Sequence, residues 1–183
     1  MIDRDMKSLL RRFRNDDSGT VTIEFVIIFP IFFGFFLMTV ENGIISAQSV
    51  MLERGMDIAI RDVRIARMLD PTADELRQRI CEAATIIPDC TTQLQIEMFV
   101  KNPRNWTPLP DTINCIDRSV EARPVIDYVT GDGNELVVLR ACVRIDPFLP
   151  TTGIGKAIVE NGDDASGDSY ALVSTSSYVV EPR

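Results

Sequence analysis

The sequence predicts an α+β fold in which a long N-terminal helix packs against a small antiparallel β-sheet. Residues 21–40 form an apolar run that contains a single charged residue, and the residues after it keep a helical spacing as far as position 69. The C-terminal half then changes to the alternation of apolar and polar residues that is typical of strands. These observations predict a helix whose first half is transmembrane and whose second half is amphipathic.

Residues 1–19 are predicted to be a basic leader peptide. Apolar side chains occur there at helical spacing, and basic residues lie between them at Arg4, Lys7, Arg11, Arg12 and Arg14. Such a segment either lies on an anionic membrane surface as an amphipathic helix or is a disordered tail whose charge only sets the topology. Under both interpretations the positive-inside rule places the N-terminus in the cytoplasm and the larger C-terminal part across the membrane.

Residues 20–40 are predicted to span the membrane. Val21–Val40 contains one charged residue, Glu24, and at about 1.5 Å per residue its length is about 30 Å, the thickness of the bilayer's hydrocarbon core. The run is longer than the core of a cleaved secretory signal and lacks a small-residue cleavage site after it, so a retained anchor is favoured. Pro30 is expected to bend the helix mildly. A carboxylate in such a segment is energetically costly, so a functional role is expected for Glu24.

Residues 41–69 are predicted to continue the helix with an amphipathic pattern. Two rows of small or apolar residues repeat every seventh position, one formed by Ile45, Leu52, Ala59 and Ala66 and the other by Ser49, Met56 and Val63. A narrow seam of this kind packs either on the protein's own sheet or on a neighbouring helix. The expected helix runs from Val21 to Leu69, and Gly43 and Gly55 are its weak points.

Residues 70–183 are predicted to form an exported α+β domain. Asp70 is expected to be the N-cap and Pro71 the first residue of a short helix whose apolar face contains Leu76, Ile80, Ala83 and Ile87. Three or four strands are expected to follow, at Leu94–Val100, Val120–Val129, Glu135–Ile145 and Tyr170–Val180. The turn residues Thr130–Asn134 are expected to form a hairpin between the second and third of these strands.

The four cysteines, Cys81, Cys90, Cys115 and Cys142, all follow the membrane segment, and an even number there suits disulfides in an oxidising compartment. Cys81 and Cys90 flank the end of the short helix, which favours their pairing. Cys142, inside a strand, is then expected to pair with Cys115 in the preceding loop. Four cysteines allow three pairings, so the connectivity is an expectation.

Composition excludes several classes of function. The chain has no histidine, which removes Ser-His-Asp and Cys-His catalysis and imidazole metal sites. Its formal net charge of −8 argues against a nucleic-acid partner. The acidic stretch 160–168 lacks the order of ligands of an EF-hand, which favours a solvated loop over a calcium site. The sequence therefore predicts a protein that is not an enzyme and that has no cofactor or metal.

The residues before the apolar run are distinctive: Arg11-Arg12-Phe13-Arg14-Asn15-Asp16-Asp17-Ser18-Gly19, followed by Thr-Val-Thr-Ile-Glu-Phe. This stretch resembles the processing region of type IV pilin-like proteins, most closely the TadE-like family of tight-adherence (Flp-type) pilus systems. The resemblance implies a pilin-like fold and cleavage by a prepilin peptidase after Gly19. Thr20 would then be the mature N-terminus, and Glu24 the fifth mature residue, followed by Phe25.

The resemblance further implies a minor pilin or pseudopilin, anchored in the bacterial inner membrane with a cytoplasmic N-terminus and a periplasmic C-terminal domain. After assembly it would reach the pilus or the cell surface. The implied partners are a prepilin peptidase, TadE/TadF-like sister subunits, the major pilin and the inner-membrane assembly platform. Glycine at the cut leaves the backbone accessible to the peptidase, and the new α-ammonium of Thr20 can pair with Glu24 of a neighbouring subunit.

Two other functions remain open at the level of sequence. The first is an uncleaved single-pass inner-membrane protein whose periplasmic domain scaffolds pilus assembly or secretion. The second is a membrane-tethered adhesin whose loops around Trp106 or Asp163 contact a surface.

Overall fold

The computed structural model describes residues 19–116, 118, 127–150, 153–160 and 169–181. The chain divides into two compact units, Met1–Val40 and Glu41–Arg183. Three predicted features fall largely outside the described residues: the leader before Gly19, residues 161–168 of the acidic loop, and most of the strand expected at Val120–Val129.

The long helix α1 runs from Thr20 to Arg64 and contains Pro30. It confirms the predicted helix but ends before Leu69. The main chain adopts a positive φ of 56° at Ala66, and the Asp62 carbonyl accepts hydrogen bonds from the N–H groups of Arg67 and Met68 at 2.9 and 3.2 Å. A left-handed residue of this kind terminates a helix and satisfies its last carbonyls, so Ala66 does not belong to the packed seam.

The second helix, α2, runs from Ala73 to Ala83, and its N-cap is Thr72 rather than Asp70. The Thr72 hydroxyl accepts the Glu75 N–H at 3.3 Å, and the Glu75 carboxylate accepts the Thr72 N–H at 2.8 Å. This capping box satisfies two backbone donors at once. The prediction of Asp70 as N-cap was wrong because the stronger signal, Thr72 followed three residues later by Glu75, outweighs the Asp-Pro pair.

Three antiparallel strands form the sheet: β1 (Leu94–Lys101), β2 (Leu136–Ile145) and β3 (Tyr170–Val179), in the order β1-β2-β3. These bounds confirm the three stronger strand predictions. A one-turn helix, α3 (Cys90–Gln93), leads into β1. A further helix, α4 (Gly153–Glu160), lies between β2 and β3, where no helix was expected.

The predicted hairpin at Thr130–Asn134 was wrong. The residues before the turn do not pair with β2, since β2 already has β1 on one side and β3 on the other. Tyr128 instead forms a parallel bridge with Met98 of β1, and the Met98 N–H donates to the Asp127 carbonyl at 2.9 Å. The turn therefore connects Tyr128, at the outer edge of β1, with the start of β2, which lies in the middle of the sheet.

The core of the second unit joins α1, α2 and all three strands. Leu52, Met56, Ala59 and Ile60 of α1 belong to one cluster of buried residues with Leu76 and Ile80 of α2 and with the inward side chains of the sheet. The apolar seam of α1 thus packs on the protein's own domain, which was one of the two partners that the heptad pattern allowed. The α+β layout is as predicted.

Candidate assembly site

The candidate site lies at the start of α1, where the sequence places Gly19, Thr20, Glu24 and Phe25. Gly19 is exposed and directly precedes the helix. A Cβ built on Gly19 would have no other atom within 4 Å among the described residues. Packing therefore gives no reason for glycine at this position.

Glu24 lies slightly more than one turn into the helix, on an exposed surface. Among the described residues it has no hydrogen-bond or ion-pair partner. The side chains around it are apolar and exposed, with Val21, Ile23 and Ile28 between 62% and 75% accessible. A carboxylate on such a surface is costly in hydrocarbon unless a cation or hydrogen-bond donors from another molecule reach it.

Phe25 begins a ridge of aromatic rings along the same helix. Its ring stacks on Phe29 at 5.0 Å between centroids, Phe29 stacks on Phe33 at 5.5 Å, and Phe33 lies 6.3 Å from Phe36. At about 100° per residue, this ridge and Glu24 lie on different flanks of the helix. The helix thus presents a charged group on one side and a stacked apolar surface on another.

The whole segment is long and apolar enough to cross a membrane. It is the single such helix among the described residues, its most apolar window has a mean hydropathy of 2.4, and none of that window is buried. Large apolar side chains exposed along residues 21–36 would be unstable in water, since each favours transfer to an apolar environment. Cover by lipid or by another apolar surface would therefore stabilise this segment.

The structure forms both disulfides that the sequence favoured. Cys81 of α2 is bonded to Cys90, and Cys115, in the loop after β1, is bonded to Cys142 of β2. Trp106 lies in the same loop and is 54% exposed. No group of three or more acidic, Cys or His side chains that could hold a metal occurs in the described part of the chain, and residues 161–168 lie outside it.

Sequence reasoning missed a polar row on the buried face of α1. Glu41, Gln48 and Asp62 are each less than 10% exposed, and with Gly55 they recur every seventh residue beside the apolar seam. Each polar side chain has a partner. Glu41 accepts two backbone N–H groups, Gln48 accepts the Tyr170 hydroxyl at 2.9 Å, and Asp62 accepts Arg79 at 2.6 Å.

The signal for this row was its seven-residue period, which matches that of the apolar seam. The burial of Gly55 has a clear cause, because a Cβ there would lie 2.7 Å from the Ile80 carbonyl oxygen of α2. In this row, Gly55 allows α2 to pack closely against α1, and the three polar side chains form hydrogen bonds with the rest of the domain.

Comparison with known families gives one finding. The model of the family described as "TadE-like protein" matches residues 19–61, which confirms the resemblance predicted from the sequence. No match is found among curated proteins or among solved structures. The matched residues begin at Gly19 and include Glu24, Phe25, the apolar helix and most of the packed seam.

The family is a structural, non-enzymatic one associated with Tad pili. Together with the apolar helix at the N-terminus, the match indicates a membrane-anchored, pilus-associated protein.

Proposed function

We propose that the protein is a minor pilin or pseudopilin of a tight-adherence pilus. In this proposal a prepilin peptidase cleaves after Gly19, and the mature subunit, beginning at Thr20, enters the pilus or the complex that initiates it. Before assembly the subunit is held in the inner membrane, with its N-terminus in the cytoplasm and Glu41–Arg183 in the periplasm. Its partners are TadE/TadF-like sister subunits, the major pilin and the inner-membrane assembly platform.

The observation that carries the proposal is the carboxylate of Glu24, which has no partner among the described residues and is the single charge in the largely exposed stretch 21–40 of α1. Cleavage after Gly19 would create an α-ammonium on Thr20, four residues before Glu24. Opposite unit charges 4 Å apart attract by about 4 kcal/mol at an effective dielectric constant of 20. Pairing of Thr20 in one subunit with Glu24 in its neighbour would satisfy both charges and fix the axial register between the two helices.

Gly19 supports the processing step. Because a side chain at this position would meet no described atom, the glycine has no packing role there, whereas a peptidase benefits from an unhindered backbone. The exported part, with its three-stranded sheet and two disulfides, is larger than a repeating shaft subunit needs. Its size favours a role at the tip or in initiation.

The processing step is tested by the N-terminus of the protein recovered from membranes of piliated cells. Mass spectrometry should find Thr20 as the first residue, and Gly19→Val should leave the leader attached. An intact leader on the wild-type protein in cells with an active prepilin peptidase would support the uncleaved scaffold instead.

The role of Glu24 is tested separately. Glu24→Ala should be processed normally but fail to enter pili, because the neighbouring ammonium loses its partner. Glu53, an exposed acid on the packed half of the same helix, provides the matched control, and Glu53→Ala should assemble like the wild type. Normal incorporation of Glu24→Ala would count against the pairing.

The adhesin alternative is tested at Trp106. If the protein is an adhesin that uses this loop, Trp106→Ala should abolish attachment to the surface while pili still form.

A further inference from the structure

We propose that the loop Pro147–Pro150 is a second membrane contact, in which Phe148 inserts into the lipid headgroup region beside the point where α1 leaves the bilayer. The proposal depends on the membrane segment alone. It requires neither cleavage after Gly19 nor incorporation into a pilus.

The loop is fixed by Glu41. The Glu41 carboxylate is fully buried, and its two oxygens accept the N–H groups of Phe148 at 2.9 Å and Leu149 at 2.8 Å. A buried carboxylate needs such donors, since an unpaired charge away from water is strongly unfavourable. Both hydrogen bonds are donated by the main chain, so they fix the position of the loop and do not depend on the identity of its side chains.

Phe148 is presented outwards by this arrangement. Pro147 is buried and Pro150 is exposed, and both restrict the main chain on either side of the aromatic residue. The Phe148 side chain is 66% exposed although the loop beneath it is firmly held. A large apolar side chain held in this exposed position gains free energy when an apolar phase or molecule covers it.

The position of Glu41 identifies that phase as lipid. Glu41 follows directly after Val40, the last residue of the apolar segment, and both belong to α1. The Phe148 N–H lies 2.9 Å from the Glu41 carboxylate, so the loop lies within one side-chain length of the residue that directly follows the apolar segment. Phe, together with Trp and Leu, is among the apolar residues that surface-bound segments bury at the boundary between headgroups and acyl chains.

The charges next to the loop are compatible with an anionic lipid surface. Asp146, the residue before the loop, forms an ion pair with Arg118, and Arg118 also donates to the Arg144 carbonyl at 2.8 Å. The acidic group nearest in sequence to Phe148 is therefore neutralised, and repulsion from anionic headgroups is reduced. A contact of this kind would hold the domain that carries the loop against the membrane surface.

The test uses the full chain in vesicles of phosphatidylcholine and phosphatidylglycerol, with one indole at position 148. Trp106 is the single tryptophan of the chain, so Trp106→Phe combined with Phe148→Trp leaves the reporter in the loop. Since position 148 is exposed, this exchange leaves the packing of the domain intact. The emission should be shifted to the blue and should be quenched by lipids brominated on the acyl chain near the headgroup.

The wild-type protein supplies the matched control, because its exposed Trp106 should keep a water-like emission without quenching. Equal behaviour of the two indoles would overturn the proposal, and so would a blue shift at position 148 without bromine quenching, which would indicate cover by protein. Adding Glu41→Gln to the reporter variant removes the charge that holds the loop. It should reduce the quenching, whereas unchanged quenching would show that Glu41 does not position Phe148.

Discussion

At the scale of single residues, the most instructive pair is Glu97 on β1 and Arg140 on β2. They lie directly opposite each other in the antiparallel register, their side chains are 3% and 7% exposed, and Glu97 Oε2 lies 2.7 Å from Arg140 Nη2. Arg140 also donates to the carbonyls of Pro110 and Thr112 at 3.0 and 3.2 Å. One ion pair thus joins two strands and the loop that leads to Cys115.

Removing one member of this pair should be severely destabilising. Glu97→Ala leaves Arg140 buried without its carboxylate, and a loss of about 3–5 kcal/mol in the free energy of unfolding is expected. Urea unfolding of the full chain in detergent micelles measures this change. The exposed acid in Glu53→Ala serves as reference and should alter stability by no more than about 0.5 kcal/mol. Similar values for both variants would contradict the importance assigned to the pair.

The three tyrosines are the residues whose ionisation the fold resists. Burial raises the pKa of Tyr170 to about 12, with smaller contributions from the charges of Glu41 and Asp146. Burial likewise raises the pKa of Tyr128 and of Tyr178. Because the folded pKa values lie above the unfolded value of about 10, their stabilising contribution is complete below pH 10 and is lost as the pH rises through the folded values.

An alkaline titration followed by phenolate absorbance should therefore show little ionisation near pH 10 in the folded protein. The phenolate signal should appear at higher pH, together with the loss of near-ultraviolet circular dichroism that accompanies unfolding. In concentrated denaturant all three groups should titrate near pH 10, since burial is then absent. A tyrosine that titrates normally in the folded protein would show that its ring is not buried as described.

At the scale of elements, two of the three glycines of α1 lie in opposite environments. Gly43 is exposed and a Cβ there would meet nothing within 4 Å, whereas a Cβ at Gly55 would lie 2.7 Å from the Ile80 carbonyl oxygen and 3.1 Å from Ile80 Cγ2. Glycine inside a helix lowers stability by about 0.5–1 kcal/mol relative to alanine. Replacing each glycine by alanine therefore distinguishes the effect of helix propensity, at Gly43, from the effect of packing against α2, at Gly55.

Gly43→Ala should raise the free energy of unfolding by about 0.5–1 kcal/mol, through helix propensity alone. Gly55→Ala should lower it by about 1–3 kcal/mol, because a backbone carbonyl of α2 must move to accept the methyl group. Thermal unfolding of both variants under one set of conditions gives the comparison. Stabilisation by Gly55→Ala would mean that α2 does not approach α1 as closely as described.

The elements that the sequence predicted well are those with a strong local period. The apolar run and seam predicted α1, and alternation predicted β1, β2 and β3. Helix α4 was missed because Gly153-Ile154-Gly155 has low helix propensity. The hairpin at Thr130–Asn134 was wrong because turn residues indicate a change of direction, whereas pairing depends on which strand edges are free.

The residues of the candidate site and of the buried polar row also differ in how well the sequence predicted them. Gly19, Glu24 and Phe25 were identified from a sequence motif. The structure adds that Glu24 is exposed and that it has no hydrogen-bond or ion-pair partner among the described residues. The polar row Glu41, Gln48 and Asp62 was missed because polar and charged positions of an amphipathic helix are expected to face solvent. The seven-residue period marks the row, but Glu41 and Gln48 are buried against partners more than a hundred residues away in sequence, and a local pattern does not identify those partners.

At the scale of the whole molecule, the two disulfides close loops of different length. The separation is 9 residues for Cys81–Cys90 and 27 for Cys115–Cys142. In the chain-entropy model the longer loop gives about 3.6 kcal/mol and the shorter about 2.6 kcal/mol. Replacing Cys115 and Cys142 by alanine should therefore lower the urea midpoint more than replacing Cys81 and Cys90. The reverse order would show that native-state contacts, and not loop length, set the difference.

The same cysteines report where the domain resides in the cell. A domain exported across the membrane should form both disulfides, whereas the reducing cytoplasm keeps thiols free. Alkylation in cells before lysis, followed by mass spectrometry, should leave all four cysteines of the wild type unmodified. A variant with Leu37→Arg and Phe33→Arg, which weakens insertion of the apolar segment by about 2.5–3.5 kcal/mol per arginine, should retain the domain in the cytoplasm and become alkylated. Alkylation of the wild type would place the domain on the cytoplasmic side and would remove the basis for a periplasmic subunit of any kind.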